Sequence, residues 1–310
     1  MSNQDLVTRV DLHIHTNASD GLDSTDEIIL KAHERFKADG DKPRVISITD
    51  HDSVDGLYPS QKPSDYNLNL IPGIELSVLC DLSSLGYTGK PIKSEELHLL
   101  GYGIDPKNRD LNSALQQNRD RRRSRLLEMV SNVNKLLKKD GKPEIEDGDT
   151  QDIKGYSAPS RTHLARLLVE RGIVKTIKEA FDRYLVSGNV PKRQIPFEEG
   201  SNLIKQAGGI AVLAHPSGKP NHSLVGITSN LIYQAAIIKS LAERGLIQGL
   251  ECYYPDHGDE LPNSYLTLCN QMNLIPTGGS DHHGGEDKDR LGRFYVPDFV
   301  GELLLERLAV

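Results

Sequence analysis

Short apolar runs alternate with longer amphipathic segments along most of this 310-residue chain. Apolar runs between turn-forming residues are typical of buried β-strands, whereas apolar residues that recur every three to four positions indicate helices. The pattern predicts strands over 6–10, 45–49, 70–74, 97–102, 210–214, 248–252 and 274–277. It predicts helices over 25–40, 110–139, 162–171, 176–185, 197–206, 230–244 and 260–270. The capping-box spacing of Ser24 and Glu27 marks the start of the first helix.

The order of these elements indicates an α/β fold. Strands that alternate with helices form a mostly parallel sheet in which the helices are the crossover connections. The helical stretch 106–196 interrupts this alternation, and we interpret it as an insertion. The sequence therefore predicts one α/β domain, formed by 1–105 and 197–310, that carries a helical insertion domain.

The composition is that of a soluble globular protein, with 37% hydrophobic and 26% charged residues. No apolar run approaches the length of a membrane span, and the first residues show no signal-peptide pattern. The three cysteines have no close spacing, which argues against a disulfide framework and favours the reducing cytoplasm. A net charge of −7 provides no general attraction to duplex DNA or to an anionic membrane. A small phosphorylated substrate is the better expectation.

Imidazole and carboxylate side chains recur at the C-terminal ends of the predicted strands. The candidate metal ligands are His13, His15, Asp20, His51, Glu75, His98, His215, Asp281 and His283. Only His98 lies inside its predicted strand. In a barrel of parallel strands these ends converge on one face, where the catalytic residues of such folds gather. We therefore expect the candidates to form one metal site.

Nine ligands exceed the four to six positions around a single ion, so we expect two or three divalent ions that share a carboxylate. Imidazoles and carboxylates without thiolates suit Mn, Fe or Zn, with Mg as a further candidate. Such a cluster fits hydrolysis of a phosphate ester, because the ions neutralise phosphoryl oxygens and activate a water. Metal-dependent amide hydrolysis uses similar ligands and stays an alternative at this point.

Five motifs in this order resemble the polymerase-and-histidinol-phosphatase (PHP) family. They are His13-Ile14-His15, Thr49-Asp50-His51, Gly73-Ile74-Glu75, Ala214-His215-Pro216 and Ser280-Asp281-His282-His283. The resemblance covers about 1–105 and 197–310. It implies a distorted seven-stranded β/α barrel and metal-dependent phosphoester hydrolysis. The helical insertion is similar to that of the branch that acts on nucleoside 3',5'-bisphosphates and on short RNA from its 5' end.

The resemblance also implies how the ligands are shared among the ions. One ion would take His13, His15, Glu75 and Asp281, a second Glu75, His98 and His215, and a third Asp20, His51 and His283. Glu75 would then bridge two ions, and Asp281 counts as a catalytic residue as well as a ligand. Asp50 and Asp52 are candidates for orienting His51 or a bound water, with a role in a turn or cap as the alternative.

Substrate contacts are expected mainly from the insertion, which the resemblance places as a cap over the metal site. Ser160-Arg161-Thr162-His163 resembles the insertion motif of the branch, although the family usually has glycine where this chain has Ser160. Arg161 and His163 are therefore candidate substrate contacts, and Lys192 could add a positive charge. The run of arginines over 119–125 is either a solvated helix face or a phosphate-attracting rim.

His222 and His257 lie in loops after two barrel strands, and either could protonate the leaving oxygen. The sequence thus predicts a phosphomonoesterase that acts on small nucleotides, AMP or a nucleoside 3',5'-bisphosphate among them, by attack of a metal-bound hydroxide. Short single-stranded RNA is a further expected partner. Histidinol-phosphate phosphatase is the alternative activity, and a non-catalytic, metal-stabilised module is the alternative of another class.

Overall fold

The computed structural model describes residues 8–36, 42, 44–83, 94–155, 159–190, 194–220, 222–285 and 288–309. Within these ranges, none of the helices combines the length and the apolar composition needed to span a bilayer.

The centre of the protein is a mixed β-sheet. Its strands are β1 (Val10–Ile14), β2 (Arg44–Ile48), β3 (Leu68–Asp81), β4 (Ser94–Tyr102), β5 (Ile195–Pro196), β6 (Ile210–Leu213), β7 (Gly249–Tyr253) and β8 (Ile275–Gly278). Seven strands follow one another in the order β1-β2-β3-β4-β6-β7-β8, and the short β5 pairs with β3 beside this path. β4 runs antiparallel to both of its neighbours on the path, and the other neighbouring pairs are parallel.

The two ends of the sheet meet. The backbone N–H of His15 donates to the carbonyl oxygen of His282 at 2.9 Å, and Ile14, at the end of β1, forms a parallel bridge with His282, which follows β8. This contact joins the first strand to the last, so the sheet curls into a distorted barrel. The predicted α/β barrel with additional helices is confirmed.

Two strand predictions are wrong in their boundaries. Of the strand predicted over 6–10, residues 6 and 7 lie outside the described residues, and β1 starts only at Val10, where pairing with β2 begins, and continues to Ile14. The strand predicted to end before Glu75 continues to Asp81 as β3. Its second half is held by antiparallel pairing with β4 from Gly73 onwards, so Glu75 lies inside a strand rather than at its end.

The helices follow the predicted pattern more closely. They are α1 (Thr25–Arg35), α2 (Arg109–Lys139), α3 (Gln151–Gly155), α4 (Arg161–Glu170), α5 (Ile177–Ala180), α6 (Phe197–Gln206), α7 (Leu231–Glu243), α8 (Leu261–Met272) and α9 (Asp298–Leu308). The capping box of Ser24 and Glu27 is present at the start of α1. α1 ends at Arg35, and 37–40 of its predicted range lie outside the described residues.

Two separate hydrophobic clusters contact α2. Leu111 and Leu115, near its start, pack in the cluster formed by β3, β4 and α6. Leu126, Val133 and other apolar residues of its second half pack against α4 and the residues up to 185. A turn of π-helix, Phe181–Leu185, follows α5 in this second cluster. The helical stretch thus has its own core, while the start of α2 attaches it to the sheet.

Candidate metal centre

Glu75 lies at the middle of the convergent side chains and is 1% exposed. Its Oε1 is 2.8 Å from Nδ1 of His98 and 3.1 Å from Nε2 of His215. Its Oε2 is 2.9 Å from Nδ1 of His51. One carboxylate therefore faces imidazoles from three other segments of the chain, which is the geometry that a bridging ligand needs.

The motif at the end of β1 contributes two fully buried imidazoles. Nε2 of His13 and Nε2 of His15 are 3.1 Å apart, and they lie 3.4 and 3.3 Å from Oε2 of Glu75. Oδ1 of Asp281 is 3.7 Å from Nε2 of His13 and 3.3 Å from Nε2 of His15. These four side chains, which the resemblance assigns to one ion, thus present their ligand atoms to a common point.

A third group lies beside the first two. Nε2 of His283 is 3.3 Å from Oδ1 of Asp20, and Nε2 of His51 is 4.0 Å from the same oxygen. Nδ1 of His283 also lies 3.5 Å from Oδ1 of Asp281. His51 faces Asp20 with one ring nitrogen and Glu75 with the other, so it connects the groups. All nine predicted ligands converge, although their assignment to particular ions stays a prediction.

Several of these atoms lie close together without forming hydrogen bonds. Nδ1 of His51 and Oε2 of Glu75 are 2.9 Å apart, yet within the described part of the chain neither buried atom has a hydrogen-bond partner. Nδ1 of His15 and Oδ1 of Asp20 are also buried and have no hydrogen-bond partner among the described residues. Buried polar atoms normally have partners. Atoms that face a common point without bonding to one another fit divalent cations held between them.

The pKa values of two carboxylates of this centre are lowered. Burial raises the pKa of Glu75, but the neighbouring imidazoles of His51, His98 and His13 outweigh burial and hold this pKa well below its ordinary value. Burial likewise opposes ionisation of Asp281, and the charge on His283 leaves the pKa of this carboxyl well below its usual range. The centre therefore presents negative charge that cations can neutralise.

The pKa values of the imidazoles shift in different directions. Burial lowers the pKa of His15 and of His98, but hydrogen bonds and charges from carboxylates outweigh it and raise both pKa values to about 9. For His51, burial prevails and lowers the pKa to about 4. A metal ion must compete with protons for His15 and His98, because ligands bind metals in their deprotonated form.

Glu251 on β7 supports the centre from outside and was not among the predicted residues. Its Oε1 lies 2.9 Å from Nδ1 of His13, and its Oε2 accepts a hydrogen bond from the backbone N–H of His215 at 2.7 Å. A carboxylate behind a ligating imidazole fixes the orientation of the ring. The signal in the sequence is an acidic residue inside a predicted buried strand, where it requires a partner.

The backbone is strained at two of the candidate ligands. Asp281 has φ +52° and His215 has φ +24°, in the left-handed region that side chains rarely adopt. Such residues cost on the order of 1–3 kcal/mol and persist where the surroundings determine them. The hydroxyl of Tyr254 donates to Oδ2 of Asp281 at 2.9 Å, which helps to hold this carboxylate towards the centre.

Asp50 and Asp52 lie beside the candidate ligands and hydrogen-bond to neighbouring backbone and hydroxyl groups. Asp50 accepts hydrogen bonds from the backbone N–H and hydroxyl of Thr16, each at 2.7 Å, and from the hydroxyl of Ser19. Asp52 accepts from the backbone N–H of Ser77 at 3.0 Å. Among the described residues neither aspartate hydrogen-bonds to His51; their oxygens brace the neighbouring loop and β3, and Asp52 also pairs with Arg122. These contacts match the turn role that the sequence left open, and the orientation of a bound water stays a prediction.

A cavity of about 310 Å³ opens onto the candidate ligands. Five cationic side chains line it: Arg122, Arg125, Arg161, Lys219 and Lys288. Arg122 and Arg125 belong to the arginine run of α2, for which the sequence left a solvated face and a phosphate-attracting rim open. Arg122 also pairs with the buried carboxylate of Asp52. Arg119 of the same run pairs with Asp55 at 3.0 Å and does not line the cavity. Only part of the run therefore faces the cavity.

The predicted substrate contacts of the insertion lie in different places. Arg161 lines the cavity and lies over the ring of Phe181, 5.6 Å from its centroid. His163 is buried, and its Nδ1 accepts from the backbone N–H of Ser160 at 3.1 Å, so it caps α4 rather than lining the cavity. Burial lowers the pKa of His163 to about 4. Lys192 lies outside the described residues.

The two candidate general acids differ in their position. His222 lines the cavity, stacks on His98 with ring centroids 4.6 Å apart, and has Nδ1 3.3 Å from Oε1 of Glu96. His257 is buried, with Nδ1 2.9 Å from the carbonyl oxygen of Cys252. His257 is absent from the described lining of the cavity.

Known proteins of similar sequence show to which family this chain belongs. No family model matches the chain. The 5'-3' exoribonuclease Rnm of Escherichia coli (strain K12) is 31% identical over 222 residues, which are 70% of this chain and 68% of that protein. The 3',5'-nucleoside bisphosphate phosphatase of Chromobacterium violaceum is 29% identical over 289 residues, 91% of this chain and 90% of that protein. The chain belongs to the PHP family.

Solved structures agree with this assignment. A Bifidobacterium adolescentis protein, assigned by inference as a metal-dependent phosphoesterase, superimposes with a TM-score of 0.71 at 25% identity and covers 96% of both chains. A Chromobacterium violaceum amidohydrolase, solved with bound sulfate and no metal, has a TM-score of 0.68 at 26% identity over 91% of this chain and 89% of that one. The PHP protein is thus a metal-dependent phosphoric ester hydrolase. This excludes the non-catalytic module considered from the sequence.

Proposed function

We propose that the PHP enzyme hydrolyses a phosphomonoester of a small nucleotide. AMP and nucleoside 3',5'-bisphosphates are the substrates that we favour, and short RNA 5' ends are a further candidate. The observation that carries the proposal is a cavity lined by seven of the nine candidate ligands and by five cationic side chains, of which Arg122 is paired with Asp52. A dianionic phosphate ester complements both the metal ligands and the cations.

The metal centre would hold two or three divalent ions of Mn, Fe or Zn. Imidazole and carboxylate ligands without thiolates support this choice. Bound divalent ions supply a water that ionises near neutral pH, and they neutralise phosphoryl oxygens. His13, His15, Glu75 and Asp281 would hold one ion, Glu75, His98 and His215 a second, and Asp20, His51 and His283 a third. Glu251 orients the His13 ring in this arrangement.

Arg125 and Arg161 would bind the phosphate of the substrate. Arg125 donates to the carbonyl oxygen of Val190 at 2.6 Å and to the amide oxygen of Asn189 at 2.8 Å. Among the described residues, neither arginine has a carboxylate partner. Burial, together with the charges of Arg161 and Arg122, lowers the pKa of Arg125 to about 10. An anion placed among these guanidinium groups would relieve their repulsion and form charge-assisted hydrogen bonds.

His222 is the favoured donor of a proton to the leaving oxygen, because it lines the cavity, whereas His257 is buried and is not among the described lining residues. The nearby carboxylate of Glu96 would keep the ring of His222 in place. Phe181 and Tyr254 line the same cavity and present aromatic surface to the nucleoside. His222 would donate a proton to the sugar oxygen that leaves the phosphorus.

The helical stretch 106–196 would act as a cap over this cavity. Arg161 and Phe181 reach the cavity from α4 and from the turn after α5. Nη2 of Arg166 donates to the backbone carbonyl of Asp20 at 2.9 Å, which connects α4 to the loop of a candidate ligand. The three cysteines with free thiols fit an enzyme of the reducing cytoplasm.

The test is a phosphate-release screen of protein purified without chelator, preceded by elemental analysis. AMP, nucleoside 3',5'-bisphosphates and histidinol phosphate are compared, and faster turnover of histidinol phosphate would favour the alternative activity. Asp281→Asn should leave the protein folded but lower kcat by at least about 100-fold, because it removes charge from the centre. Asp259→Asn, an exposed acid outside the cavity, is the matched control. Near-normal turnover by Asp281→Asn would refute the proposed mechanism.

A further inference from the structure

The turn after β6 holds a candidate metal ligand in a strained conformation. His215 is buried with φ +24°, and its Nε2 lies 3.1 Å from Oε1 of Glu75. A residue keeps such a φ only where the surrounding structure determines it. The backbone N–H of His215 donates to Oε2 of Glu251, and its carbonyl oxygen accepts from the backbone N–H of Gly218 at 2.8 Å. These bonds hold His215 itself, and other elements hold the residues that follow it.

Ser217, two positions after His215, is held through both its backbone and its side chain. Its backbone N–H donates to Nε2 of His257 at 3.4 Å. Its hydroxyl donates to Oε1 of Gln234 at 2.8 Å and lies 2.6 Å from the hydroxyl of Tyr265. Because Gln234 belongs to α7, Tyr265 to α8 and His257 to the turn after β7, three separate elements converge on this one residue.

The partners of Ser217 are buried and hydrogen-bonded in a consistent direction. Gln234, His257 and Tyr265 are 1%, 3% and 5% exposed. Since the single hydroxyl proton of Ser217 goes to Gln234, Tyr265 is the donor in its contact with Ser217. Nε2 of Gln234 in turn donates to the carbonyl oxygen of Thr228 at 2.8 Å. A buried network whose members all have partners fixes one arrangement of the chain.

His257 uses both of its ring nitrogens for backbone contacts. Nδ1 donates to the carbonyl oxygen of Cys252 at 2.9 Å, and Nε2 accepts from Ser217. One donor and one acceptor describe the neutral ring, and burial lowers the pKa of His257 in agreement with this state. Cys252 follows Glu251 on β7. His257 therefore ties the turn of Ser217 to the strand that supports the metal centre.

We propose that His257 is a positioning residue that holds the turn of Ser217 and thereby directs the imidazole of His215 towards the metal ion beside Glu75. This inference rests on the proposed role of His215 as a metal ligand. Without His257, the N–H of Ser217 would lose its acceptor. His215 would then relax from its strained conformation, and its ring would move away from Glu75. This role differs from that of the general acid that the sequence allowed for His257.

The experiment measures metal binding directly, by titrating chelator-treated full-length protein with Zn²⁺ and following it by calorimetry and elemental analysis. His257→Leu should weaken the binding of one equivalent of Zn²⁺ by about 10- to 100-fold, the usual effect of removing a group that supports a ligand. The other equivalents should bind as in the wild type. His257→Gln should recover affinity to within about fivefold of the wild type, because an amide can donate to Cys252 and accept from Ser217.

A second, milder variant tests the same network. Tyr265→Phe removes only the hydroxyl that contacts Ser217, so it should weaken the same equivalent of Zn²⁺ by about fivefold, the value for one hydrogen bond. Leu241→Ala is the control for a general loss of stability. Leu241 is fully buried on α7 in the same hydrophobic cluster as Tyr265. Leu241→Ala should lower Tm but leave the affinity for Zn²⁺ within about twofold of the wild type.

Two substrates separate positioning from general-acid catalysis. p-Nitrophenolate leaves without a proton, whereas the sugar oxygen of AMP requires one. At limiting Zn²⁺, His257→Leu should slow hydrolysis of AMP and of p-nitrophenyl phosphate by the same factor. Excess Zn²⁺ should return both rates to within about threefold of the wild type.

Three outcomes would contradict these expectations. Unchanged affinity for every equivalent of Zn²⁺ in His257→Leu, or in Tyr265→Phe if His257→Leu does not fold, would overturn the positioning role. A defect of His257→Leu that is confined to AMP and persists in excess Zn²⁺ would also overturn it, because that result identifies a general acid. If the wild type bound no Zn²⁺ and hydrolysed neither substrate, the proposed function itself would fail.

Discussion

Oε1 of Glu251 lies 2.9 Å from Nδ1 of His13, and this contact directs Nε2 of His13 towards Glu75 and Asp281. Both Glu251 and His13 are fully buried. The contact joins β7 to β1, the two strands that lie on either side of β8 in the barrel. Glu251 thus connects the metal centre to the sheet without reaching the ligand atoms itself.

Glu251→Gln should lower the affinity for metal by about 10- to 100-fold, the usual cost of removing a carboxylate behind a ligating imidazole. The amide keeps the size of the side chain but loses the charge that orients His13. Excess metal should restore most of the activity, which a lost catalytic group would not permit. Titration of metal-free protein, followed by activity and by elemental analysis, provides the measurement. Unchanged affinity would contradict this role.

The metal-free protein should lose stability as the pH rises from about 6.5 to about 9. His15 and His98 have pKa values raised to about 9 in the folded chain, against 6.5 for an ordinary histidine. Their contribution is therefore complete below the unfolded pKa and disappears as the pH passes the folded pKa. Melting temperatures measured with chelator across this interval test the expectation.

The same titration should make added metal more effective at high pH, because His15 and His98 no longer hold protons. The difference in Tm between metal-loaded and metal-free protein should therefore grow between pH 6.5 and pH 9. In His98→Gln this growth should be smaller. A metal-free Tm that stays constant or rises over this interval would contradict the expectation.

Arg161→Lys should lower kcat/KM for the nucleotide by about 10- to 100-fold, because an ammonium cannot reproduce two parallel hydrogen bonds to phosphate. The contact of Arg161 with the ring of Phe181 would also weaken. Arg183→Lys is the matched control, since Arg183 belongs to the same helical stretch and pairs with Asp140 and Glu179. If the two variants had equal kcat/KM, Arg161 would not be a substrate contact.

Gly279→Ala should destabilise the barrel at the metal centre. A Cβ atom at this position would lie 2.3 Å from the backbone nitrogen and 2.4 Å from the Cβ of His13, so the connection after β8 would have to move away from β1. We expect a loss of roughly 1–3 kcal/mol in the free energy of unfolding, together with weaker metal binding. Gly148→Ala, where no atom lies within 4 Å of the new Cβ, should change stability by less than about 1 kcal/mol. Chemical denaturation of both variants measures the difference.

Local patterns in the sequence predicted most elements, because their signals lie within a few residues. The helix predicted over 197–206 coincides with α6, and the one predicted over 110–139 starts one residue late. The two strand errors arose where long-range partners decide the structure. β3 extends to Asp81 because β4 pairs with it, and this pairing is not visible in the residues of β3 alone. The apolar pattern did not predict α9.

The sequence by itself determined the order of strands and helices, the motifs of the PHP family and the candidate ligands. These signals depend on the spacing of side chains within single elements. Only the tertiary structure decided that Glu251 supports His13, a contact between residues 238 positions apart. It also decided which arginines of α2 line the cavity and that His257 is buried and not among the described lining residues. The physical reason is that each of these relationships depends on how separate elements pack across the barrel, and no local pattern encodes that packing.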